Sequence, residues 1–206
     1  MTVPIRTVVF DFGNVVAFFD HGRAVARLAP FSALKPHELT LQLYGSAIED
    51  AYERGDIGTE EYVRAALANG QLSFSPTEFR AAFVDIFWPN PEVCELLPRL
   101  KPAHRVLLAS NTTLAHYEEF ARAFAEPLAH VDYLGTSFRA RARKPEPAFY
   151  AHIQEHANCE PHECAFVDDL PVNVEAAERF GWKGVVYRPD GTLAQKLRAI
   201  GASVGT

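Results

Sequence analysis

The sequence predicts an α/β protein: a doubly wound parallel sheet with helices on both faces, interrupted once by a helical insert. Three observations predict this fold class. Short apolar runs rich in β-branched residues recur along the chain, and most are followed by stretches with apolar residues at helical spacing. Between residues 18 and 88 this alternation stops, and helical patterns follow one another. Alternating strands and helices are typical of parallel sheets that are covered on both faces.

The first predicted strand covers residues 7–11, with the sequence Thr-Val-Val-Phe-Asp. Further apolar runs lie at residues 104–110, 131–136, 164–168 and 184–187. Such runs are typical of strands buried on both faces, so we expect five parallel strands. In sheets of this kind, ligands bind beyond the carboxyl ends of the strands.

Helices are predicted between and after these strands, at residues 113–124, 146–157, 171–180 and 192–200. Pro147 and Pro171 suit the first turn of a helix, where the backbone N–H has no intrahelical partner. Gly181 suits the position just after a helix, where a left-handed conformation is common. These signals place the helix boundaries close to the strand ends.

Residues 18–88 form the helical insert, with predicted helices at 35–44, 59–68 and 75–87 and with Asp20 as a cap before residues 23–28. We expect it to form a cap over a Rossmann-like core made of residues 1–17 and 89–206. Its tethers, residues 17–20 and 88–91, would be the hinges. The alternative is that these helices only pad the sheet.

Composition limits the classes of partner. The 206 residues are 48% hydrophobic, enough for a buried core, and carry a formal net charge of −6 without a basic run. Nucleic acids and anionic membranes attract positive surfaces, so neither is expected as a main partner, whereas a small phosphorylated molecule needs only local positive charge.

The chain carries no recognisable export or membrane signal. Its first six residues are too few for a signal peptide, and no apolar stretch approaches the roughly 20 residues of a membrane span. Three cysteines, Cys94, Cys159 and Cys164, do not indicate a disulfide framework. We therefore expect a cytoplasmic protein, and the sequence carries no pattern that predicts an oligomeric state.

Carboxylates end two of the predicted strands. Asp11 ends the first, and Asp168 and Asp169 end the fourth. A lone Asp there is most often a turn residue, but adjacent carboxylates raise each other's pKa and are costly to hold without a cation. Oxygen ligands suit Mg²⁺, which proteins bind through one or two carboxylates, water and a substrate phosphate. If Asp11 also reaches that ion, its carboxylate can attack a phosphorus atom.

Two further groups supply complementary chemistry. Ser110 and Asn111 follow the second strand at the start of a predicted helix, where they either only cap the helix or also bind an anion at its N-terminus. Lys144 precedes a Pro-Glu-Pro helix entrance, so it is either a solvated surface lysine or a cation held in place. A phosphate site would use both groups.

In their order and spacing these groups resemble the haloacid dehalogenase-like (HAD) hydrolase superfamily: Asp11, Ser110, Asn111, Lys144, Asp168, Asp169 and Asn173. The likeness covers nearly the whole chain, because the helical insert is similar to the family's helical cap. Residues 10–15 and 53–58 are most similar to a helical-cap phosphatase branch that includes glucose-1-phosphate phosphatases.

The resemblance implies that Asp11 is the nucleophile and forms an aspartyl phosphate. The implied phosphoryl and substrate ligands are Ser110, Asn111 and Lys144. The implied Mg²⁺ ligands are Asp11, the backbone carbonyl of Gly13, Asp169 and Asp168. Asp168 would either bind the ion through a water molecule or instead pair with Lys144. Asn111 and Asn173 would also orient the loop and the ion. The implied activity is hydrolysis of a small phosphorylated metabolite, with a sugar phosphate favoured.

Gly13 departs from the family pattern. Most phosphatases of the superfamily carry an Asp there, which protonates the leaving alcohol and then activates water. Such assistance is typically worth about 10²- to 10⁴-fold, or roughly 3 to 5 kcal/mol at the barrier. Either another group substitutes, with Asp20, His21 or a residue of the helical insert as candidates, or the substrate leaves with little help, as a sugar 1-phosphate would.

Three rival functions remain open. A 2-haloacid dehalogenase keeps the attacking Asp without a metal, but the superfamily's dehalogenases lack a pair like Asp168 and Asp169. A phosphomutase relies on the acid that Gly13 lacks. A catalytically silent phosphometabolite-binding protein could have lost its activity together with that acid, although a mere binder could shed so costly a charged cluster.

Overall fold

The computed structural model describes residues 3–205. Its strands are β1 Thr7–Phe10, β2 Ala17–Phe19, β3 Phe87–Pro89, β4 Arg105–Ser110, β5 Tyr133–Thr136, β6 Cys164–Asp168 and β7 Lys183–Val186. Its helices are α1 His21–Leu28, α2 Pro36–Tyr44, α3 Ala47–Glu53, α4 Thr59–Asn69, α5 Pro76–Val84, α6 Pro91–Leu100, α7 Leu114–Ala123, α8 Ala125–Leu128, α9 Ser137–Ala140, α10 Pro147–Gln154, α11 Pro171–Phe180 and α12 Leu193–Ala199. No helix in this part of the chain is long and apolar enough to cross a membrane.

A five-stranded parallel sheet forms the centre of the molecule, in the order β5-β4-β1-β6-β7. It confirms the predicted fold class, and the strand ends lie within two residues of the predicted ones. The chain runs from β1 to β4 and β5 on one side and then crosses to β6 and β7 on the other. Ligand sites in such sheets lie where the strand order reverses, beyond the carboxyl ends. Here that point is the end of β1.

The side chains of β1 alternate between two hydrophobic clusters. Val8 and Phe10 join the cluster that packs against α6, α7 and α12, where Leu97 is fully buried. Val9 joins the opposite cluster, which packs against α10 and α11 and contains Tyr150. Because successive strand residues face opposite sides, both faces of β1 are buried. The end of the strand is therefore firmly positioned.

The helical insert has a hydrophobic core of its own. Helices α1 to α5 pack around a third cluster, in which Leu28, Leu43, Tyr62 and Phe79 are fully buried. Ala115 of α7 also belongs to this cluster, so the insert rests on the sheet layer at α7. This contact brings the insert over the carboxyl end of β4.

The ends of the helical insert differ from the prediction. The two tethers pair with each other: β2 pairs antiparallel with β3, and Phe18 lies opposite Trp88. The predicted helix at 75–87 ends at Val84, since the residue before Pro89 is biased towards extended backbone and aromatic residues favour strands. The insert is therefore joined to the core by a two-stranded ribbon.

Four helices lie outside the predicted set: α3, α6 and the two short helices α8 and α9. Helix α6 contains Pro98, which interrupts the expected pattern because proline lacks a backbone donor. Helix α3 begins at a capping signal: the Ser46 hydroxyl accepts a hydrogen bond from the Glu49 N–H at 3.3 Å. The Ser-x-x-Glu pattern could have revealed α3 from the sequence.

We predict that Gly135 in β5 tolerates no side chain. A Cβ atom there would contact the Ile153 side chain and lie 2.8 Å from the Leu108 carbonyl oxygen. Gly135→Ala is expected to lower the free energy of unfolding by about 1–3 kcal/mol, as overpacking does. Gly58→Ser is the matched control, because nothing lies within 4 Å of its Cβ position. Equal urea midpoints for the two variants would contradict this account.

Candidate active site

Asp11 follows β1 at the centre of the sheet edge. Its N–H donates to the Val167 carbonyl at 2.8 Å, which continues the pairing with β6 by one residue. The Asp11 Oδ1 atom accepts a hydrogen bond from the Phe12 N–H at 2.7 Å. The chain then turns at Asn14, whose φ of 56° lies in the left-handed region that Asn tolerates. Asp11 is 8% exposed and lines a cavity.

Lys144 lies between two of the predicted acids. Its Nζ atom is 2.6 Å from Asp11 Oδ1 and 2.8 Å from Asp168 Oδ2, and the side chain is 2% exposed. Burial by itself would lower the pKa of Lys144, but the two carboxylates outweigh burial and raise that pKa. The interpretation of Lys144 as a solvated surface lysine is therefore wrong, and the ammonium is a buried cation held between two acids.

Asp168 and Asp169 have different surroundings although they are adjacent. Asp168 is fully buried, and its carboxylate accepts hydrogen bonds from Lys144, from the Leu170 N–H and from the Asn173 side chain at 3.0 and 3.1 Å. Asp169 is only partly buried and lines the cavity beside Asp11. Oxygen atoms of Asp11, Asp168 and Asp169 all lie within 4.8 Å of one another. The structure therefore gathers all three predicted carboxylates.

The three carboxylates of this cluster carry more negative charge than the single Lys144 ammonium can balance. Burial raises the pKa of Asp11 to about 7, with Asp168 adding to the rise and Lys144 opposing it. Burial and the neighbouring Asp168 also raise the pKa of Asp169. A divalent cation between these oxygens would remove the repulsion, and oxygen donors of this kind are the ones that Mg²⁺ prefers.

Ser110 and Asn111 extend the site from the end of β4. The Asn111 side chain accepts a hydrogen bond from the Lys144 N–H at 2.8 Å and donates one to the Lys144 carbonyl at 3.1 Å. Asn111 thus holds the backbone that carries the ammonium. Ser110 is 3% exposed, and it lines a cavity together with Asn111. Thr113, not Ser110, caps α7, since its hydroxyl accepts from the His116 N–H.

Gly13 adjoins both Asp11 and the cavity, but the space for a side chain is already taken. A Cβ atom on Gly13 would lie 2.8 Å from Cε1 of the Phe19 ring. Phe19 comes from β2, at the start of the helical insert. Where the resemblance leads to the expectation of a carboxylate, a ring from the insert therefore stands instead, and only the backbone of Gly13 remains for binding.

Two adjoining cavities share Gly13, Phe19, Glu53 and Asn111 among their walls. The larger cavity, of about 310 Å³, is lined by Asp11, Asp169 and Lys144. The smaller cavity has a volume of about 90 Å³ and is lined by Ser110. Its other walls include His21, a candidate proton donor, and three residues that the sequence does not mark as site residues: Glu49, Glu53 and His116. The cavity beside the acids thus adjoins a small pocket with partly polar walls.

Helix α3 is held over the site by ion pairs. The Arg54 guanidinium binds Glu146 at 2.6 and 3.1 Å through two nitrogens, and Arg143 Nη2 lies 2.7 Å from Glu53 Oε2. Arg143 also pairs with Asp50. Because Arg143 precedes Lys144, one short segment contacts both the insert and the acids. These long-range contacts leave no periodic signal in the sequence, so the spacing of residues could not reveal them.

Comparison with known proteins is consistent with this geometry. A family model described as haloacid dehalogenase-like hydrolase matches residues 5–181. The structure of an HAD family enzyme from Bacteroides thetaiotaomicron, in complex with magnesium and inorganic phosphate, has a TM-score of 0.81 and 20% identity, covering 94% of this chain and 100% of that chain. L-2-haloacid dehalogenase from Xanthobacter autotrophicus has a TM-score of 0.64 and 20% identity, covering 95% and 83%. At such identities these likenesses show the fold alone.

Two curated relatives carry the names of enzymes that release phosphate. D-ribitol-5-phosphate phosphatase from Bacteroides thetaiotaomicron is 22% identical over 194 residues, which are 90% of this chain and 92% of that protein. Flavin mononucleotide hydrolase 1 from Arabidopsis thaliana is 36% identical over 76 residues, which are 37% of this chain and 31% of that protein. The second match thus spans about a third of that relative.

We predict that Lys144 is essential for stability because it is buried between acids. Lys144→Met would leave Asp11 and Asp168 without their counter-charge, and breaking a buried pair in this way typically costs about 3–5 kcal/mol. Lys101→Met is the control, because Lys101 pairs with Asp132 near the surface and such pairs are worth about 1 kcal/mol or less. Urea unfolding at pH 7 with a chelator measures both, and equal losses would refute the prediction.

Proposed function

The chain belongs to the haloacid dehalogenase-like hydrolase family, and from this premise we propose that it is an Mg²⁺-dependent phosphatase of small phosphorylated metabolites. The observation that carries the proposal is the position of Lys144 Nζ, 2.6 Å from Asp11 Oδ1 and 2.8 Å from Asp168 Oδ2. A buried ammonium and a carboxylate at one cavity wall suit a doubly charged phosphate ester, with Lys144 attracting the ester and Asp11 attacking it.

Asp11 is the proposed nucleophile. Its Oδ1 atom accepts hydrogen bonds from Phe12 and Lys144, so Oδ2 is the atom left to attack phosphorus. Attack would form an aspartyl phosphate and release the alcohol, and water would then hydrolyse the intermediate. Lys144 and Ser110 would bind phosphoryl oxygens, with Asn111 holding the Lys144 backbone in place.

The proposed metal ligands are Asp11, the Gly13 carbonyl and Asp169, with Asp168 reaching the ion through water. The donor set fits Mg²⁺, because three carboxylates lie within 4.8 Å of one another beside a single ammonium. Bound there, Mg²⁺ would supply positive charge to the phosphoryl oxygens. Asp168 already accepts from Lys144, Leu170 and Asn173, which favours an indirect role for it.

A small polyol or sugar phosphate is the proposed substrate class. The pocket next to the phosphate site has a volume of about 90 Å³, and its walls include Glu49 and Glu53, whose carboxyl groups can bind hydroxyl groups. The name of the Bacteroides relative, a ribitol-5-phosphate phosphatase, supports the same class. A haloacid would bring its own carboxylate into a site already rich in them, which disfavours dehalogenation.

A phosphatase screen tests the proposal. Phosphate release would be measured for ribitol 5-phosphate, hexose phosphates, flavin mononucleotide and 4-nitrophenyl phosphate, with Mg²⁺ and with EDTA. We expect release that requires Mg²⁺ and is abolished by Asp11→Asn, which retains the shape of the side chain but removes the nucleophile. Halide release from 2-chloropropionate, unaffected by EDTA, would instead identify a dehalogenase. No turnover of either class, with phosphate esters still bound, would identify a silent binding protein.

We also predict that Mg²⁺ binding is visible without catalysis. Adding Mg²⁺ should raise the melting temperature of the wild-type protein, because ligands that bind only the folded state stabilise it. Asp169→Asn should melt at or above the wild-type temperature in EDTA, since one of three neighbouring carboxylates loses its charge, and should respond little to Mg²⁺. Glu175→Gln, an exposed acid on α11, is the control and should respond as the wild type does. An undiminished response of Asp169→Asn would remove Asp169 from the ligand set.

A further inference from the structure

The proposed phosphatase function, on which this inference rests, leaves one chemical need unmet. An alkoxide leaves phosphorus slowly unless its oxygen receives a proton, and Gly13 has none to give. A Cβ atom on Gly13 would lie 2.8 Å from the Phe19 ring, so that ring stands where the missing side chain would begin. A proton donor must therefore come from another wall of the 90 Å³ pocket that Gly13 and Ser110 share.

Asp20 and His21, the two candidates that the sequence analysis names individually, do not fill this role. The Asp20 side chain caps α1 by accepting from the Gly22 N–H at 2.7 Å. His21 lines the pocket, but burial lowers its pKa to about 4, so it is neutral at pH 7. His116 also lines the pocket, and burial lowers its pKa to about 3. A neutral imidazole with so low a pKa has no acidic proton to donate.

Two carboxyl groups of α3 complete the pocket, and their partners differ. Glu53 Oε2 lies 2.7 Å from Arg143 Nη2, so its carboxyl group is engaged in an ion pair. Burial raises the pKa of Glu53, but the guanidinium opposes the rise. The Glu49 carboxyl group makes no hydrogen bond or ion pair with any residue in the range 3–205. Among the described residues of the pocket wall, Glu49 is the carboxyl group that remains available.

A second helix of the insert shows what Glu49 would otherwise do. Glu78 occupies the same Ser-x-x-Glu position in α5, and its carboxylate accepts from the Ser75 N–H at 3.0 Å and hydroxyl at 2.6 Å. In α3 the Ser46 hydroxyl accepts from the Glu49 N–H, but the Glu49 carboxyl group does not bind back. It lines the pocket instead. The Glu49 side chain therefore lines the pocket and does not make the capping interaction that this sequence pattern favours.

The surroundings of Glu49 favour its protonated form. Burial raises the pKa of Glu49 to about 8, the charge of Glu53 adds to the rise, and Arg143 opposes it. A raised pKa means that the carboxyl group carries its proton at pH 7. The titratable and charged groups around it are Asp50 and Glu53 on α3, Tyr44 on α2, His21 on α1, His116 on α7 and Arg143 in the loop after α9.

We propose that Glu49 of the helical insert is the general acid and base that replaces the side chain missing at Gly13. As Asp11 attacks phosphorus, the bond from phosphorus to the leaving oxygen breaks, and that oxygen takes its electron pair and the Glu49 proton to become an alcohol. The Glu49 carboxylate then takes a proton from water while the water oxygen attacks the aspartyl phosphate. The bond from phosphorus to Asp11 breaks, inorganic phosphate leaves, and Glu49 is protonated again.

Leaving-group dependence tests this assignment. Glu49→Gln keeps the size of the side chain but removes the transferable proton. For ribitol 5-phosphate, whose alkoxide is a poor leaving group, kcat/KM is expected to fall about 10²- to 10⁴-fold. For 4-nitrophenyl phosphate, whose phenolate leaves without a proton, it is expected to fall less than about 10-fold. The wild-type kcat/KM for ribitol 5-phosphate should also decline above about pH 8, where Glu49 loses its proton, and this decline should be absent in Glu49→Gln.

Glu78→Gln is the matched control, because it changes the same Ser-x-x-Glu position in α5, where the carboxylate only caps the helix. It should leave both rates and the pH profile unchanged. Equal losses on the two substrates in Glu49→Gln, or no loss on either, would overturn the assignment, since a structural role affects both alike. A wild-type enzyme that hydrolyses 4-nitrophenyl phosphate but no alkyl phosphate would also overturn it. If the wild type hydrolyses neither ester, the phosphatase function itself fails.

Discussion

The arrangement of the site depends on one buried ammonium. Lys144 contacts Asp11 at the end of β1 and Asp168 at the end of β6, and its backbone is held by Asn111 at the end of β4. Without this positive charge, three carboxylates at adjacent strand ends would repel one another in a region that water does not screen. The same contact fixes where the acids point. A single side chain thus offsets part of the negative charge and fixes the geometry of the acids.

The residue before Lys144 extends this network to the helical insert. Arg143 pairs with Glu53 on α3, and Arg54 at the end of that helix binds Glu146, two residues after Lys144. The segment that carries the ammonium is therefore held from both sides. The insert and the core each supply about half of the residues that line the smaller pocket, whereas Asp11, Lys144 and Asp169 beside the larger cavity all come from the core.

Residues near strand ends could be recognised from the sequence, because strands of this sheet are short apolar runs with clear ends. On that basis the sequence predicts one site that contains Asp11, Ser110, Lys144 and Asp168. The structure brings these residues together. The metal and substrate roles assigned to them remain predictions. The ion pairs of Arg143 join residues about 90 positions apart, a separation at which no local pattern operates.

Other features of the structure cannot be predicted from the sequence, because they are determined by packing and not by a local sequence pattern. The Phe19 ring beside Gly13 is one example, since a strand residue six positions away occupies the space of a missing side chain. The ribbon of β2 and β3 is another, because its pairing partners are separated by the whole insert. Helix α3 differs from both, because its capping signal at Ser46 is visible in the sequence.

The ribbon has a consequence for how this architecture can vary. The two chain segments that connect the sheet with the helical insert lie side by side, about one strand spacing (~5 Å) apart. A tight turn of a few residues could bridge that gap, so to the sheet the whole insert is equivalent to a long hairpin loop. Its length then adds little entropy cost to closing the fold, because that cost grows only slowly with loop length. The insert can therefore be exchanged or remodelled while the sheet and its acids stay as they are.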